Sequence, residues 1–591
     1  MRASSSPPFT TNRSTPETTH GSTSALTAKF TAGRLVAVVF FALISIWAPR
    51  QAAALPAEGH QIMYAGPSPY GVEIARDIHE RGGNVIDASV AIALSLAVTH
   101  PYYAAFGGGG FAMVKVGDKV QAFDFREIAP AKSSSETFKG RNPKDSQDGG
   151  LAVGVPGVPA GLWELHRKYG RLKWHQLFDS ALKLAEQGFR VSGEWVENTR
   201  RNRERMNSTG QRIFFRTLPK QAGVGPKPPL DLKPGELLKQ RELAGFLRAF
   251  KKNGPKAFYE GTVAKELVKT VNESGGLFTL EDLKGYRTRW LEPLTAEFEG
   301  HKLWLMPPPS AGGLIIASSL KLMDKLKLKE TKPLSVDEYH LLSEIMKLSF
   351  RGRQLLGDPE FNQNPIGRLL DDKYLSELAG KVKLDKSVEV EPLKNLVLEH
   401  EQTTHFSLMD AEGNAVAFTV TLNGNYGSGL VTPDSGIALN NEIDDFTTQP
   451  DKPNMFGLIQ GSANLMRPGA RPLSSMSPTI VEKNGRTVLA VGAPGGPRIT
   501  TGVLQVLYRV LAQNFDIDRA IQTPRVHHQF LPDTVFVDPQ RFSPEILEGL
   551  EKRGHKVETG FTARVYGVHR SSTNILSGAG DARGECAAGG M

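Results

Sequence analysis

Glu399-His400-Glu401-Gln402-Thr403-Thr404-His405-Phe406-Ser407 joins a charged, aperiodic segment to an apolar alternation. Thr403 to Met409 predicts a strand, Asp410-Ala411-Glu412-Gly413-Asn414 a turn, and Ala415 to Leu422 a returning strand, which together make a buried hairpin. A hydroxyl is a weak nucleophile at its free pKa and needs an adjacent base. Cutting the chain just before Thr403 supplies one, its own α-amine, with an unperturbed pKa of about 8. The first residue of an interior strand is also held rigidly, as catalysis requires. Asp385 to Gln402 predicts an exposed loop, where a chain is readily cut. Taken alone, these residues point first to a Thr-rich strand end without chemistry, since Thr is a common β-former. The rest of the chain reverses that order.

With 591 residues the chain is long enough for a large core and more than one structural unit. Its 40% hydrophobic and 23% charged content is that of a globular protein. The net charge of +9 is partly local, from Arg2, Arg13, Lys29, Arg34 and Arg50 against Glu17 near the N-terminus. No basic patch interleaved with aromatics stands out, which argues against nucleic acid as a partner. The single cysteine, Cys586, excludes an intrachain disulfide and a cysteine-based metal site. Arg34, the apolar run Leu35 to Trp47 and Ala52-Ala53-Ala54 have the order of a secretory signal, with a long Ser/Thr-rich n-region. Residues 1–54 are therefore expected to direct export, to a periplasm or outside the cell, with a mature start near Leu55. The alternative is a tether through an uncleaved signal anchor.

Downstream, Ile62 to Ala75 predicts a strand, a turn and a helix start, and Tyr70 to Arg81 a helix closed by Gly82-Gly83. Asn84 to Val98 is apolar almost all round, the mark of a buried helix. Phe106-Gly107-Gly108-Gly109-Gly110-Phe111 has neither Walker nor dinucleotide spacing and fits a tight backbone crossing. Two strands, Phe111 to Val116 and Lys119 to Phe125, deliver Asp124-Phe125-Arg126-Glu127. Arg126 is suited either to a carboxylate ligand or to a neighbouring acid. Leu162 to about Leu384 is mostly helical by periodicity, with Gly/Pro-rich connectors at Gly223 to Pro229 and Pro307 to Gly313. Thr447 to Pro468 is a Pro/Gly-punctuated loop that fits either a mobile lid or an inert surface loop. Strands at Thr479 to Glu482 and Thr487 to Val491 lead into Gly492-Ala493-Pro494-Gly495-Gly496, ahead of a helix from about Thr500. That turn suits an anion or a developing oxyanion as well as a plain connector. His527-His528 has no carboxylate cluster to complete a metal site and is expected to be structural.

In order along the chain, Gly107 to Phe111, Asp124 to Glu127, Pro307-Pro308-Pro309-Ser310, Leu356-Gly357-Asp358-Pro359, Thr403 to Ser407, Asn440-Asn441-Glu442-Ile443-Asp444-Asp445-Phe446, Pro472-Leu473-Ser474-Ser475-Met476-Ser477-Pro478 and Gly495-Gly496 resemble the blocks of the γ-glutamyltranspeptidases. These are N-terminal-nucleophile hydrolases, and the resemblance runs from about Met63 to the C-terminus. It implies an α/β (α+β) class fold, a four-layer αββα sandwich. It also implies one precursor cleaved between Gln402 and Thr403 by its own threonine, giving a large subunit, 55–402, and a small one, 403–591, that stay together as a heterodimer.

By match to the family, Thr403 is the nucleophile, Thr421 orients it, and the N–H groups around Gly495 and Gly496 hold the oxyanion. Arg126 and Ser474, with Ser475, bind the donor's α-carboxylate, while Asp445 with Glu442 and Asn423 bind its α-ammonium. No cofactor or metal is implied. The implied partners are glutathione and other γ-glutamyl compounds as donors, with water, amino acids or dipeptides as acceptors. The chain departs from the pattern at Thr99-His100-Pro101-Tyr102-Tyr103, where many members carry Glu before the Pro and Ser after it. That bears either on a pocket wall or on packing. It also departs at Phe456, where some bacterial members have a Tyr that screens the pocket. The competing functions are an acylase for cephalosporin side chains or poly-γ-glutamate, and an uncleaved binding protein.

Overall fold

The expected hairpin forms: Thr404–Asp410 pairs antiparallel with Ala415–Thr421, Phe406 opposite Phe418 and Leu408 opposite Val416. The computed structural model describes residues 56–216, 229–390 and 403–591. The expected export segment with the mature start near Leu55, residues 223–228 of the connector, and Gln402 with loop residues 391–401 lie outside them.

The hairpin sits at the centre of a seven-stranded antiparallel sheet. In spatial order its strands are Ala587–Gly590, Ile62–Gly66, Thr404–Asp410, Ala415–Thr421, Gly109–Val116, Lys119–Asp124 and Arg289–Leu291. A second seven-stranded antiparallel sheet runs Ala57–Gly59, Leu576–Gly580, Tyr566–Arg570, Arg486–Gly492, Thr479–Lys483, His301–Leu305 and Leu294–Phe298. Strand alternation assigns the faces. Tyr64, Ala112, Val114, Phe406, Leu408, Val416 and Phe418 point into one core, beneath a helical layer that includes Val85–Thr99. Met63, Met113, Met409, Ala415 and Ala417 point into another, shared with Leu303, Val481, Leu489 and the helices Gly312–Lys325 and Arg498–Leu511. The result is helices, sheet, sheet, helices, the four-layer sandwich the resemblance implies.

Local sequence explains the pieces that frame the site. Every residue from Val85 to Thr99 is buried, and the helix starts at a reciprocal cap. There Asn84 Oδ1 accepts from the N–H of Ile86 and Asp87, and the Asp87 carboxylate accepts from the Asn84 N–H. The four glycines before Phe111 allow the expected backbone crossing. A Cβ on Gly108 would collide with the Thr421 carbonyl, at the end of the strand that leads to the site. The region expected to be mostly helical also contains short strands, and three of them, Arg289–Leu291, Leu294–Phe298 and His301–Leu305, form the edge of both sheets. Their half-exposed alternation is only three to five residues long and is swamped in a helix-length window.

Candidate active site

Thr403 stands one residue before the first ladder pair, Thr404 with Val420. It is buried, 6% exposed, and has φ +86°. A β-branched residue at that angle is strained, at a cost of about 1–3 kcal/mol. Its Oγ1 lies 2.9 Å from the Thr421 Oγ1, at the end of the partner strand. Thr421 is fixed in turn, because the Asn423 N–H donates to its Oγ1 at 2.8 Å.

A cavity opens from Thr403 and Thr421 and is lined at its polar end by Arg126, Arg353, Glu442, Asp445, Ser474 and Ser475. Arg126 leaves the end of Lys119–Asp124 and is 1% exposed. Its Nη2 donates to Asp445 Oδ2 at 2.6 Å and its Nη1 to Glu442 Oε1, with Glu127 3.8 Å away. Of the two uses open to Arg126, the structure displays pairing with acids, but with Glu442 and Asp445, beyond Thr403 in the chain, rather than with Asp124. Asp124 instead pairs with Arg471. Burial opposes the Arg126 charge, and Glu442, Asp445 and Glu127 outweigh it, so the guanidinium stays protonated. Burial pushes the carboxyls the other way: Glu127 rises to about 7, Glu442 well above the usual range, and Asp445 upward, each opposed by Arg126.

Several polar atoms here are unspent. Among the described residues, Ser475 Oγ and Glu442 Oε2 are buried with no hydrogen-bond partner, which calls for a ligand or water. The Asn423 Nδ2 donates to the Asn441 carbonyl at 3.0 Å, leaving its Oδ1 for a donor. Ser474 Oγ accepts from the Met476 N–H at 3.1 Å, and its hydroxyl proton remains available to the cavity. Gly495 (φ +127°) and Gly496 (φ +57°) precede the helix Arg498–Leu511. Among the described residues neither of their N–H groups donates to a protein acceptor. The lid-like loop is seated over the cavity. The Phe456 ring lies where a Cβ on Gly496 would stand, 2.8 Å away, and the Phe456 carbonyl accepts from Gln529 Nε2 at 3.0 Å.

Arg353 was not anticipated. It lies just past the helix Val336–Phe350, and the helical periodicity around it carries no sign of a site. Burial lowers its pKa to about 10, so it is a second cation near neutral pH. His527 and His528 are structural, as expected, bonded to Thr501, Gln529 and Asp533. Among the described residues one cluster has metal-like composition, His340, Glu344 and His555. Its two rings hydrogen-bond directly at 2.8 Å, closer than the roughly 3.3 Å that two nitrogens keep around one tetrahedral ion, and Lys347 lies 3.3 Å from Glu344.

Two antiparallel sheets between helical layers, with a strained hydroxyl residue opening a central strand, define an N-terminal-nucleophile hydrolase fold. The family model for gamma-glutamyltranspeptidase matches residues 71–591. The glutathione hydrolase proenzyme of Escherichia coli is 38% identical over 514 residues, 85% of this chain and 87% of that protein. Among solved structures, a cephalosporin acylase from Bacillus halodurans has a TM-score of 0.79 at 26% identity, covering 92% of this chain and 98% of that one. The gamma-glutamyltranspeptidase of Helicobacter pylori is 36% identical with a TM-score of 0.51, covering 54% of this chain and 91% of that one. The chain belongs to the γ-glutamyltranspeptidase family.

Proposed function

We propose that this chain is a γ-glutamyltransferase and glutathione hydrolase that uses Thr403 as its nucleophile after cutting itself at Gln402–Thr403. In the precursor the Thr403 hydroxyl attacks the Gln402 carbonyl carbon. The shift turns the amide into an ester and frees the α-amine, and water then hydrolyses the ester, releasing the Gln402 carboxylate and restoring the Thr403 hydroxyl. The strain at Thr403 favours the cut, since φ loses its steric meaning once no peptide precedes the residue. Both sheets interleave strands from before and after the cut, which supports a lasting heterodimer of 55–402 and 403–591.

In turnover the freed amine takes the proton from Oγ1, and Oγ1 attacks the donor's γ-carbonyl. The N–H groups of Gly495 and Gly496 meet the oxyanion, where each donor of this kind is worth about 10²–10³ in rate. The leaving amine departs protonated, and the acyl group stays on Thr403. The observation that carries this reading is the head-group end of the cavity. It holds two guanidinium groups, Arg126 and Arg353, against the carboxylates of Glu442 and Asp445, with Ser475 Oγ and Glu442 Oε2 unspent. A zwitterionic α-amino-acid head exchanges into that cluster pair for pair. Its carboxylate takes Arg126, Ser474 and Ser475, and its ammonium takes Asp445, Glu442 and Asn423. A glutaryl donor has no ammonium to offer these acids, which sets the cephalosporin-acylase reading behind the γ-glutamyl one. Export through residues 1–54, to a periplasm or beyond, completes the proposal.

The test is a denaturing gel together with amine release from a γ-glutamyl anilide. The wild type is expected as two fragments with activity, and Thr403→Ala as one inactive chain. Two fragments from Thr403→Ala would move the nucleophile elsewhere.

A further inference from the structure

Arg353 has no task in the steps assigned so far. It lies in the turn Arg351–Leu355 after the helix Val336–Phe350, is buried, and lines the same cavity as Thr403, Ser474 and Ser475. Arg126 spends all three of its nitrogens on the protein. Its Nε donates to the Pro472 carbonyl at 3.3 Å, its Nη1 to Glu442 Oε1 and its Nη2 to Asp445 Oδ2. Arg353 does not. Its Nη1 donates to Gln460 Oε1 at 2.7 Å and its Nη2 to the Leu473 carbonyl at 3.3 Å, while its Nε is buried with no partner. Both acceptors are neutral, and Arg353 forms no ion pair with a described carboxylate. The acids around Arg126 outweigh the burial that opposes its charge. At Arg353 burial dominates, Asp445 offsets it only in part, and Arg126 adds repulsion, so its pKa falls where that of Arg126 rises. A buried cation without an anion is costly. The cavity it lines also holds the unpartnered hydroxyl of Ser475. A guanidinium and a free hydroxyl on one cavity are the donors a carboxylate takes.

We propose that Arg353 is a specificity-determining residue of the donor site, the guanidinium that makes the donor's α-carboxylate a requirement. The inference rests on the γ-glutamyl reading of the cavity and adds a residue to it. A carboxylate that met Arg126 alone would meet a group already forked onto two acids, and those acids would repel it. At Arg353 it meets a charge with no acid of its own and a free N–H. Placed between the two arginines, it neutralises the unpaired one and accepts from Ser475 Oγ. The bond from Arg353 to the Leu473 carbonyl, one residue before Ser474, holds the guanidinium to the segment that carries both serines. The donor's ammonium is left to Glu442 and Asp445. The carboxylate of the substrate and the guanidinium of Arg353 are then partners, so removing either one should cost much less once the other is gone.

The experiment compares two donors with water as acceptor: a γ-glutamyl anilide and the 4-aminobutyryl anilide, which keeps the amine and lacks the α-carboxylate. The readout is the ratio of their kcat/KM values within each enzyme, so a general loss of activity or maturation does not move it. Arg353→Met is expected to cut the wild-type ratio about tenfold or more, the scale of a lost contact between buried charges. The loss should fall on KM for the γ-glutamyl donor and leave the aminobutyryl donor nearly unchanged. Gln460→Ala removes the neutral contact of Arg353 and is expected to keep the wild-type ratio. Arg353→Lys keeps a charge and should lose part of the ratio, and it decides the matter should Arg353→Met not mature. A wild-type ratio near one overturns the proposal. So does an unchanged ratio in Arg353→Met, or in Arg353→Lys where that variant decides. A ratio cut as deeply by Gln460→Ala as by Arg353→Met also overturns it, because Arg353 would then act only as a tether of the loop. If the wild type releases no amine from the γ-glutamyl donor, the γ-glutamyl reading itself fails. If it does and the ratio survives the loss of Arg353, only the Arg353 assignment fails.

Discussion

Replacing Thr421 with Val tests the contact proposed to aim the nucleophile. The two side chains are nearly isosteric, and Thr421 is buried in a strand paired with Gly109, so Val fits the same space. Two hydrogen bonds disappear, the 2.9 Å contact with Thr403 Oγ1 and the 2.8 Å bond from the Asn423 N–H. The stranded N–H costs about 1–3 kcal/mol of stability, a fall of a few degrees in Tm for a chain this large. The loss of aim falls on the transition state. At about 1–2 kcal/mol it slows the reaction roughly 5- to 30-fold. One hydroxyl serves both self-cleavage and turnover, so both rates should fall together. The assay follows precursor disappearance on a gel after dilution from a non-permissive pH, and then kcat of the matured fraction. Thr421→Ser restores the hydroxyl and should rescue both, although it leaves a small void. Wild-type cleavage and kcat in Thr421→Val, with the Tm lowered as expected, would refute the positioning role.

Arg126→Ala would leave Glu442, Asp445 and Glu127 buried around Arg353 alone, and breaking a buried pair in this way costs about 3–5 kcal/mol. It should melt well below the wild type or fail to accumulate. Arg126→Lys should accumulate but raise the donor KM about tenfold or more, because an ammonium cannot reproduce the fork; a wild-type KM would remove Arg126 from donor binding. Gln529→Ala removes the side-chain bond to the Phe456 carbonyl. Amide exchange at 454–458 should then quicken about fivefold, the worth of a hydrogen bond of about 1 kcal/mol; unchanged exchange would mean the loop is held by the Phe456 ring on Gly496 instead.

What the sequence made legible was local. The hairpin from Thr404, the buried helix with its Asn84 cap, the strand pair before Gly495 and the glycine crossing each follow from patterns a few residues long. Periodicity carries no information about which distant charges meet. Arg126 and Asp445 are 319 residues apart, and their assignment to one head group came from family blocks rather than from spacing. Even so, the blocks place them in the same site without revealing that they pair with each other in the intact chain. Arg353 stayed hidden for a related reason. It lies in an unremarkable local pattern and reaches the site through partners from other segments, Gln460 among them.

The proposed cut at Gln402–Thr403 would leave the framework of the site intact. Severing a chain beside a catalytic residue ordinarily frees an end that frays. The proposed scissile bond precedes Thr403, and the ladder begins one residue later. Thr404 pairs with Val420, and from Ser407 onward the strand is flanked by Ile62–Gly66 as well. Cleavage there would break no ladder pair among the described residues, and the new N-terminus would remain a short step from a strand paired on both sides from Ser407 onward. The contact that aims the hydroxyl runs across the hairpin to Thr421, downstream of the cut and in the same fragment. In the proposed two-fragment form, nucleophile and positioning residue would separate from the large fragment together or not at all, while Glu442 and Asp445, which bond Arg126, would come from the small fragment and Arg126 itself from the large one. That division predicts a separable dependence: the aim of Thr403 is a property of the small fragment, and the donor head-group site exists only while the two fragments are joined.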